Sequence, residues 1–212
     1  NTLKVMKKYS GRIKWNSEAD KGQTDAINKG LRLTDGAIVG YLNADDLLLP
    51  GSLWMVAEAF TRQPDAMWAI GKCRIVDGNN NEIRKPITGY KNFLLRLGGF
   101  PLLVMTNYIS QPSTFWRRDA LAEVGFLDES LRFVMDYEYW LRIGKHYRLH
   151  TLPQALAAFR LHPGSKSGTT ARKQFLEQYQ VAARTQPPAL LLALHRLHNW
   201  LSILVYSQKI DG

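Results

Sequence analysis

Cysteine is almost missing from this chain. Its single member, Cys73, excludes an internal disulfide framework and suits a reducing compartment, so a cytoplasmic setting is expected. Cys73 lies between Ile70-Gly71-Lys72 and Arg74-Ile75-Val76, a strand-like context without a positive cluster to hold a thiolate, so it reads as a buried structural thiol. A long uninterrupted apolar run is missing too. Pro188 through Val205 is broken by His195, Arg196, His198 and Asn199, a poor pattern for a membrane-spanning helix and a better one for an amphipathic helix. Asn1 through Tyr9 is polar and basic and does not read as a signal peptide. Acidic residues are in deficit, with 18 Asp and Glu against 28 Lys and Arg and a formal charge of +10, which asks for an anionic partner. Nucleic acid, anionic lipid headgroups and a nucleotide diphosphate all qualify by charge. The positive residues are scattered, however, and no helix clusters arginines as a groove reader would, so no nucleic-acid partner is expected. At 212 residues with 45% hydrophobic and 22% charged side chains, the chain can bury a real core.

The pattern along the chain predicts an α/β fold. Thr2 to Tyr9 has helical spacing, and Arg12 to Asn16 suits a short strand. Asp20 or Thr24 is placed to cap a helix carrying Ala26, Ile27, Gly30 and Leu31. Ala37 to Leu42 is a short apolar run, predicted to be a central parallel strand buried on both faces and ending at Asn43-Ala44-Asp45-Asp46. Pro50 opens a helix, Trp68 to Val76 is a strand, and Asp77-Gly78-Asn79-Asn80-Asn81 a turn. A short helix is predicted over Lys91 to Leu97, a flexible loop at Gly98 to Pro101 and a strand at Ser113 to Trp116. Helices follow over Asp119 to Val124 and Asp136 to Lys145, then one or two strands over Leu149 to Phe159 and a loop at Pro163-Gly164-Ser165. From Thr170 onward the chain reads as helical, with a break at Pro187-Pro188. Alternating strands and helices predict a mostly parallel central sheet flanked by helices, whose ligands bind at the strands' carboxyl ends.

Six segments together resemble the inverting family-2 glycosyltransferases of the GT-A fold. They are residues 18–30 (EADKGQTDAINKG), 36–46 (GAIVGYLNADD), 111–118 (QPSTFWRR), 124–129 (VGFLDE), 135–142 (MDYEYWLR) and 159–162 (FRLH). The resemblance covers about residues 1 to 168, leaving 169–212 as a helical C-terminal extension. In the family a strand, a helix and a second strand ending in an acidic Gly- and Ser-containing loop come first. The resemblance therefore implies that Asn1 begins just after that loop and that the sequence is N-terminally incomplete.

What the resemblance implies for the site follows residue by residue. Transfer from a sugar nucleotide expels a diphosphate, and Mn²⁺ or Mg²⁺ held by oxygen ligands neutralises it. The Asp-x-Asp positions of the family fall on Asn43 and Asp45, with Ala44 between them and Asp46 adjacent. Asn43 departs from the pattern, which leaves Asp45 as the main metal ligand, with Asp46 and His162 as further candidates. The rival reading of this segment is a helix-capping turn. Asp136 matches the base that deprotonates the acceptor hydroxyl, although an N-cap aspartate fits the same position. Asp20, Lys21, Gly22, Asn28, Asn43 and Ala44 match donor-facing positions, as do Arg160 and Lys166 on a loop that closes over the diphosphate. Gln111, Pro112 and Ser113 match acceptor-facing positions, with Glu138 and Arg142 as weaker candidates whose alternative is a mutual salt bridge.

The expected partners are a nucleotide-diphosphate sugar donor and a saccharide or lipid-linked acceptor. The helix over 187–209 carries a leucine stripe suited to packing on the catalytic domain, to a homodimer, or to peripheral contact with the inner face of a membrane. An active metal-assisted enzyme is the leading reading. The alternative is a non-catalytic sugar- or nucleotide-binding module on the same fold.

Overall fold

The computed structural model describes residues 2–162 and 171–207. Its elements in chain order are α1 (Thr2–Lys8), α2 (Gln23–Leu33), β1 (Ile38–Val39), β2 (Leu47–Leu48), α3 (Ser52–Arg62), β3 (Trp68–Val76), α4 (Lys85–Leu97) and α5 (Phe100–Met105). They continue with β4 (Thr114–Arg117), α6 (Arg118–Val124), α7 (Met135–His146), β5 (His150–Arg160), α8 (Ala171–Arg184) and α9 (Ala189–Ser207).

The strands form one five-stranded sheet in the order β1-β4-β3-β5-β2. Only β3 and β5 run parallel; the other three pairings are antiparallel. The sheet is thus mixed rather than mostly parallel. Parallel neighbours need a long crossover, and α4 to α7 supply one between β3 and β5. The predicted central strand over Ala37 to Leu42 is corrected in the same way. Only Ile38 and Val39 pair, antiparallel to β4, and β4 is their one partner among the described residues. Past Val39 the backbone leaves the ladder, because the carbonyl of Tyr41 accepts a hydrogen bond from the Gln111 side chain instead. Arg12 to Asn16, expected as a strand, is irregular and wholly exposed, with no strand partner among the described residues. Gly98 to Pro101 is not all loop, since α5 opens at Phe100.

Helices cover both faces of the sheet. One face packs Val56 and Phe60 of α3 against Ala69, Phe115, Leu152 and Leu156. The larger core on the other face gathers Trp68, Trp116, Tyr137, Tyr139, Trp140 and Ile143 with residues of α4, α5 and α8. Trp140 is its hub: it stacks on Trp68 at 6.0 Å and meets Trp116 edge-on at 5.5 Å. Aromatic pairs of this kind add about 0.5–1.5 kcal/mol each beyond the area they bury. The C-terminal helices share this core through Val181 and Ala182 of α8. Helix α9 is fastened to α5 by the fully buried His195, whose Nδ1 donates to the Val104 carbonyl at 2.6 Å. Burial lowers the pKa of that imidazole and keeps it neutral.

The β3–β5 seam is tightest at Gly71, where an added Cβ meets Leu156 Cγ at 2.3 Å and the Gln154 carbonyl at 2.9 Å. Gly71→Ala is therefore expected to lower unfolding stability by about 1–3 kcal/mol through overpacking. Gly89→Ala, inside α4 with nothing within 4 Å of the new carbon, is expected to raise it by about 0.5–1 kcal/mol. Urea midpoints at constant m-value read both effects.

Candidate functional site

The acidic segment 43–46 lies where β3 and β5 end, at the carboxyl edge of the parallel pair. The last paired residues are Val76 and Arg160, and Arg160 is what draws the segment there. Its backbone N–H donates to Asp46 Oδ1 at 2.9 Å and its guanidinium Nε to the Asp45 carbonyl at 2.8 Å. The same guanidinium also donates to the carbonyls of Asp77 and Gly78 and to Asn80 Oδ1. Arg160, expected to contact the donor, is instead occupied by protein oxygens. It positions the acidic loop against the 77–81 turn.

Asp46 turns inward and is 5% exposed. Burial raises its carboxyl pKa, opposed by hydrogen bonds from the Arg160 backbone and the Asn43 amide. Asn43 Oδ1 accepts from Gln23 Nε2 at 2.9 Å, and its Nδ2 donates to Asp46 Oδ2 and Gln111 Oε1, both at 3.2 Å. These two residues thus bind the loop to the protein. Asp45 alone of the acidic pair stays half-exposed, and its Oδ2 lies 3.3 Å from His162 Nε2. Ala44 is exposed beside it.

Asp136 lies in the first turn of α7. Burial raises its pKa, the Tyr137 backbone N–H lowers it, and the nearby Lys91 ammonium lowers it further. Burial in turn lowers the pKa of Lys91, against the opposing fields of Cys73 and Asp136. The buried hydroxyl of Tyr41 has no hydrogen-bond partner among the described residues and feels both Asp136 and Asp46. Burial pushes the Cys73 thiol up to about 11, in a setting that also holds Lys91 and Asp46. Asp46 of the acidic loop and Asp136 therefore lie within electrostatic reach of the same Tyr41 hydroxyl, in a buried neighbourhood, the hollow, that also holds Lys91 and Cys73. Low polarity on all sides is what makes each charge felt by the others.

The remaining sequence candidates divide. Asp20, Lys21 and Gly22 form an exposed loop held by Asp25, which accepts from the Lys21 N–H at 2.8 Å and pairs with Lys29 at 3.1 Å. Gln23 joins this loop to Asn43. Asn28 faces inward, 1% exposed: it donates to the Leu127 carbonyl and Glu129 and accepts from the Leu127 N–H, which leaves little for a ligand. Gln111, Pro112 and Ser113 are all buried in a tight 3₁₀ turn. Glu138 and Arg142 form a bidentate pair at 2.6 and 2.8 Å, and Arg142 also donates to the Phe126 carbonyl, so they fasten α7 to the loop before it. Lys166 and the loop 163–168 lie outside the described residues.

Two contributors carried no sequence signal of their own. Lys91 read only as the first residue of a short helix, and only folding brings it near Asp136. Glu177 of α8 accepts the backbone N–H groups of Arg132, Phe133 and Val134 at 3.1, 2.7 and 3.0 Å. Its carboxylate thus holds the turn that delivers Asp136, a long-range contact that no local spacing encodes.

A divalent cation would meet Asp45 and His162 here. No group of three or more His, Cys, Asp and Glu able to hold a metal exists among the described residues. Two donors at a half-exposed edge fit a cation that completes its shell with phosphate oxygens and water. A cavity of about 1300 Å³ borders this neighbourhood at Tyr41. It is lined by Trp15, Asp20, Ile38, Leu53 and Phe115 and includes neither Asp45 nor Asp136. The hollow, where titratable groups converge, is the better candidate site.

Comparison with known proteins bears on the family and the fold. The profile of Glycosyl transferase family 2 matches residues 1–125, and the chain belongs to that family. An uncharacterized glycosyltransferase of Nostoc sp. is 26% identical over 92% of this chain and 59% of its own length. YwdF of Bacillus subtilis, an uncharacterized glycosyltransferase, is 24% identical over 77% of this chain and 61% of its own. The fold matches the mannosyltransferase PcManGT of Pyrobaculum calidifontis, solved with GDP-Man and Mn²⁺, at TM-score 0.68 and 15% identity. That match covers 98% of this chain and 60% of the other. It also matches S. aureus TarS in complex with UDP-GlcNAc at TM-score 0.61 and 16% identity, over 86% of this chain and 53% of the other. These likenesses establish the GT-A fold. The chain spans from 17% to 61% of the length of the first curated relatives it matches.

Glu177→Ala leaves three N–H groups without their charged acceptor. It is expected to cost about 2–4 kcal/mol of stability in urea unfolding. Glu177→Gln, which retains one acceptor oxygen, is expected to lose less.

Proposed function

We propose that this chain is the catalytic core of an inverting, metal-assisted glycosyltransferase. It takes a sugar from a nucleotide-diphosphate donor to a hydroxyl of a saccharide or lipid-linked acceptor. The observation that supports the reading is proximity: the buried Tyr41 hydroxyl feels both Asp136 and Asp46, and the acidic loop lies at the carboxyl ends of β3 and β5, where open α/β sheets bind ligands. Family membership supports sugar transfer as the chemistry. The nucleotide sugars bound by PcManGT and TarS support the donor class.

In this scheme Asp136 takes the proton of the acceptor hydroxyl as its oxygen bonds to the anomeric carbon. The bond from that carbon to the diphosphate oxygen breaks on the opposite face, so the configuration inverts. Burial that raises the carboxyl pKa makes Asp136 a stronger base than an exposed aspartate, while the Tyr137 N–H and the Lys91 ammonium favour its ionised form. Asp45 and His162 would hold Mn²⁺ or Mg²⁺, which supplies Lewis-acid neutralisation of the leaving diphosphate. Asp46, Asn43 and Arg160 hold Asp45 in position. The exposed 20–22 loop is the donor-facing edge of this arrangement. Lys166 would add positive charge near the diphosphate.

A non-catalytic binding module is the second reading, favoured by the lack of a third metal-donor side chain among the described residues. Screening UDP-, GDP- and dTDP-sugars with Mn²⁺ on the full-length protein separates the two. Turnover is expected, and donor binding without turnover under any metal or acceptor would sink the enzymatic assignment. Asp136→Asn is expected to lower kcat by about 10²–10⁴-fold with little change in donor binding. Lys91→Met removes the cation that lowers the pKa of Asp136, so the acid limb of the kcat profile should move to higher pH. Asp45→Ala and His162→Ala should each raise the Mn²⁺ concentration needed for half-maximal rate. Unchanged metal dependence in both would remove the metal assignment.

A further inference from the structure

Two helices beside the hollow expose apolar side chains on adjoining faces. On α9, Leu190, Leu197, Leu201 and Leu204 recur at intervals of seven, four and three, which sets them on one side of the helix, with Trp200 at its margin. They are exposed by 42–69%. On α4, Tyr90, Phe93 and Leu97 form a second exposed stripe. His198 joins the two helices: its ring stacks on Tyr90 at 6.1 Å, and its Nε2 lies 3.1 Å from the Tyr90 hydroxyl and 3.3 Å from Thr106 Oγ1.

Charge around these faces has one sign. No Asp or Glu occurs between Glu82 and Asp119, or between Glu177 and Asp211. These two acid-free stretches contain the whole of α4 and α9. Lys85 and Arg96 of α4 are exposed, as is Arg196 of α9, whose guanidinium lies 4.7 Å over the Tyr179 ring. Apolar side chains set among cations, with no carboxylate on either helix, complement a surface that is apolar inside and anionic outside. A second copy of the chain fits less well, because a two-fold contact would set this positive rim against itself. No helix among the described residues is long and apolar enough to cross a membrane.

We propose that α4 and α9 together form a docking face for an anionic lipid bilayer, on which the protein lies without spanning it. The Leu, Phe and Trp side chains enter the headgroup boundary, and Lys85, Arg96 and Arg196 pair with lipid phosphates. Helix α4 also carries Lys91 to Asp136 on its inner side, so a bound membrane would lie next to the hollow. That last step rests on the proposed reaction; the docking face does not.

Sedimentation of the protein with vesicles tests it, comparing phosphatidylglycerol-containing vesicles with pure phosphatidylcholine. The protein is expected to partition onto the anionic vesicles and to be released by high salt. Trp200→Ser with Leu201→Ser, and separately Phe93→Ser with Leu97→Ser, should each reduce the partition by about tenfold or more. Both pairs are exposed, so circular dichroism and the thermal midpoint should stay close to wild type. Lys85→Glu with Arg96→Glu should weaken binding to anionic vesicles only. Absence of binding to anionic vesicles at low salt overturns the proposal, as does undiminished binding in both apolar variants. A wild-type dimer by sedimentation velocity that these variants dissociate assigns the face to a second copy and overturns it as well. Donor turnover, read separately, leaves a failure here distinct from a failure of the enzymatic reading.

Discussion

The carboxylate of Asp46 is the fixed point of the site. Buried at the end of a short strandless loop, it accepts the Arg160 backbone N–H on one oxygen and the Asn43 amide on the other. A buried charge left unpaired costs several kcal/mol, so this carboxylate must keep its partners. Those partners are the last residue of β5 and the first residue of the acidic segment, and the contact therefore ties the loop to the sheet. Arg160 extends the tie through Asp45 and the 77–81 turn. Asp45 is left as the outward-facing carboxylate, beside His162. One inward aspartate thus decides the direction of its neighbour.

Asp136 is positioned by an independent set of contacts. The aromatic core around Trp140 holds α7 from below. The Glu138–Arg142 pair fastens it to the loop after α6. Glu177 takes three N–H groups just ahead of it. The C-terminal helices are thereby part of what positions Asp136. The same helices turn an apolar stripe outward next to α4.

The seam between β3 and β5 connects these parts. It is the one parallel pairing in the sheet, and it requires the long α4-to-α7 crossover. That crossover carries Lys91, the Gln111 turn and Asp136 to the strands' carboxyl ends. Gly71 allows Leu156 to close the seam. Antiparallel β4, β1 and β2 finish the sheet around it.

Much of this was legible from local pattern. The nine-residue strand over Trp68 to Val76 and the helices α2, α6 and α7 follow from periodicity and turn residues acting over short range. Asn43 to Asp46 and Asp136 were legible as candidates because their residue types and neighbours are local properties. What the sequence could not fix is direction and partnership. The Ala37 to Leu42 run was apolar enough for a central strand, yet the Gln111 side chain takes its Tyr41 carbonyl and ends the ladder. Asn28, Gln111 and Arg160 looked like ligand contacts, since amides and guanidinium groups serve ligand and backbone equally well. Only tertiary structure gave them buried carbonyls and carboxylates to satisfy. The identities of the candidate side chains were written in the chain; which of them came together was decided by folding, because each buried polar group must find a partner.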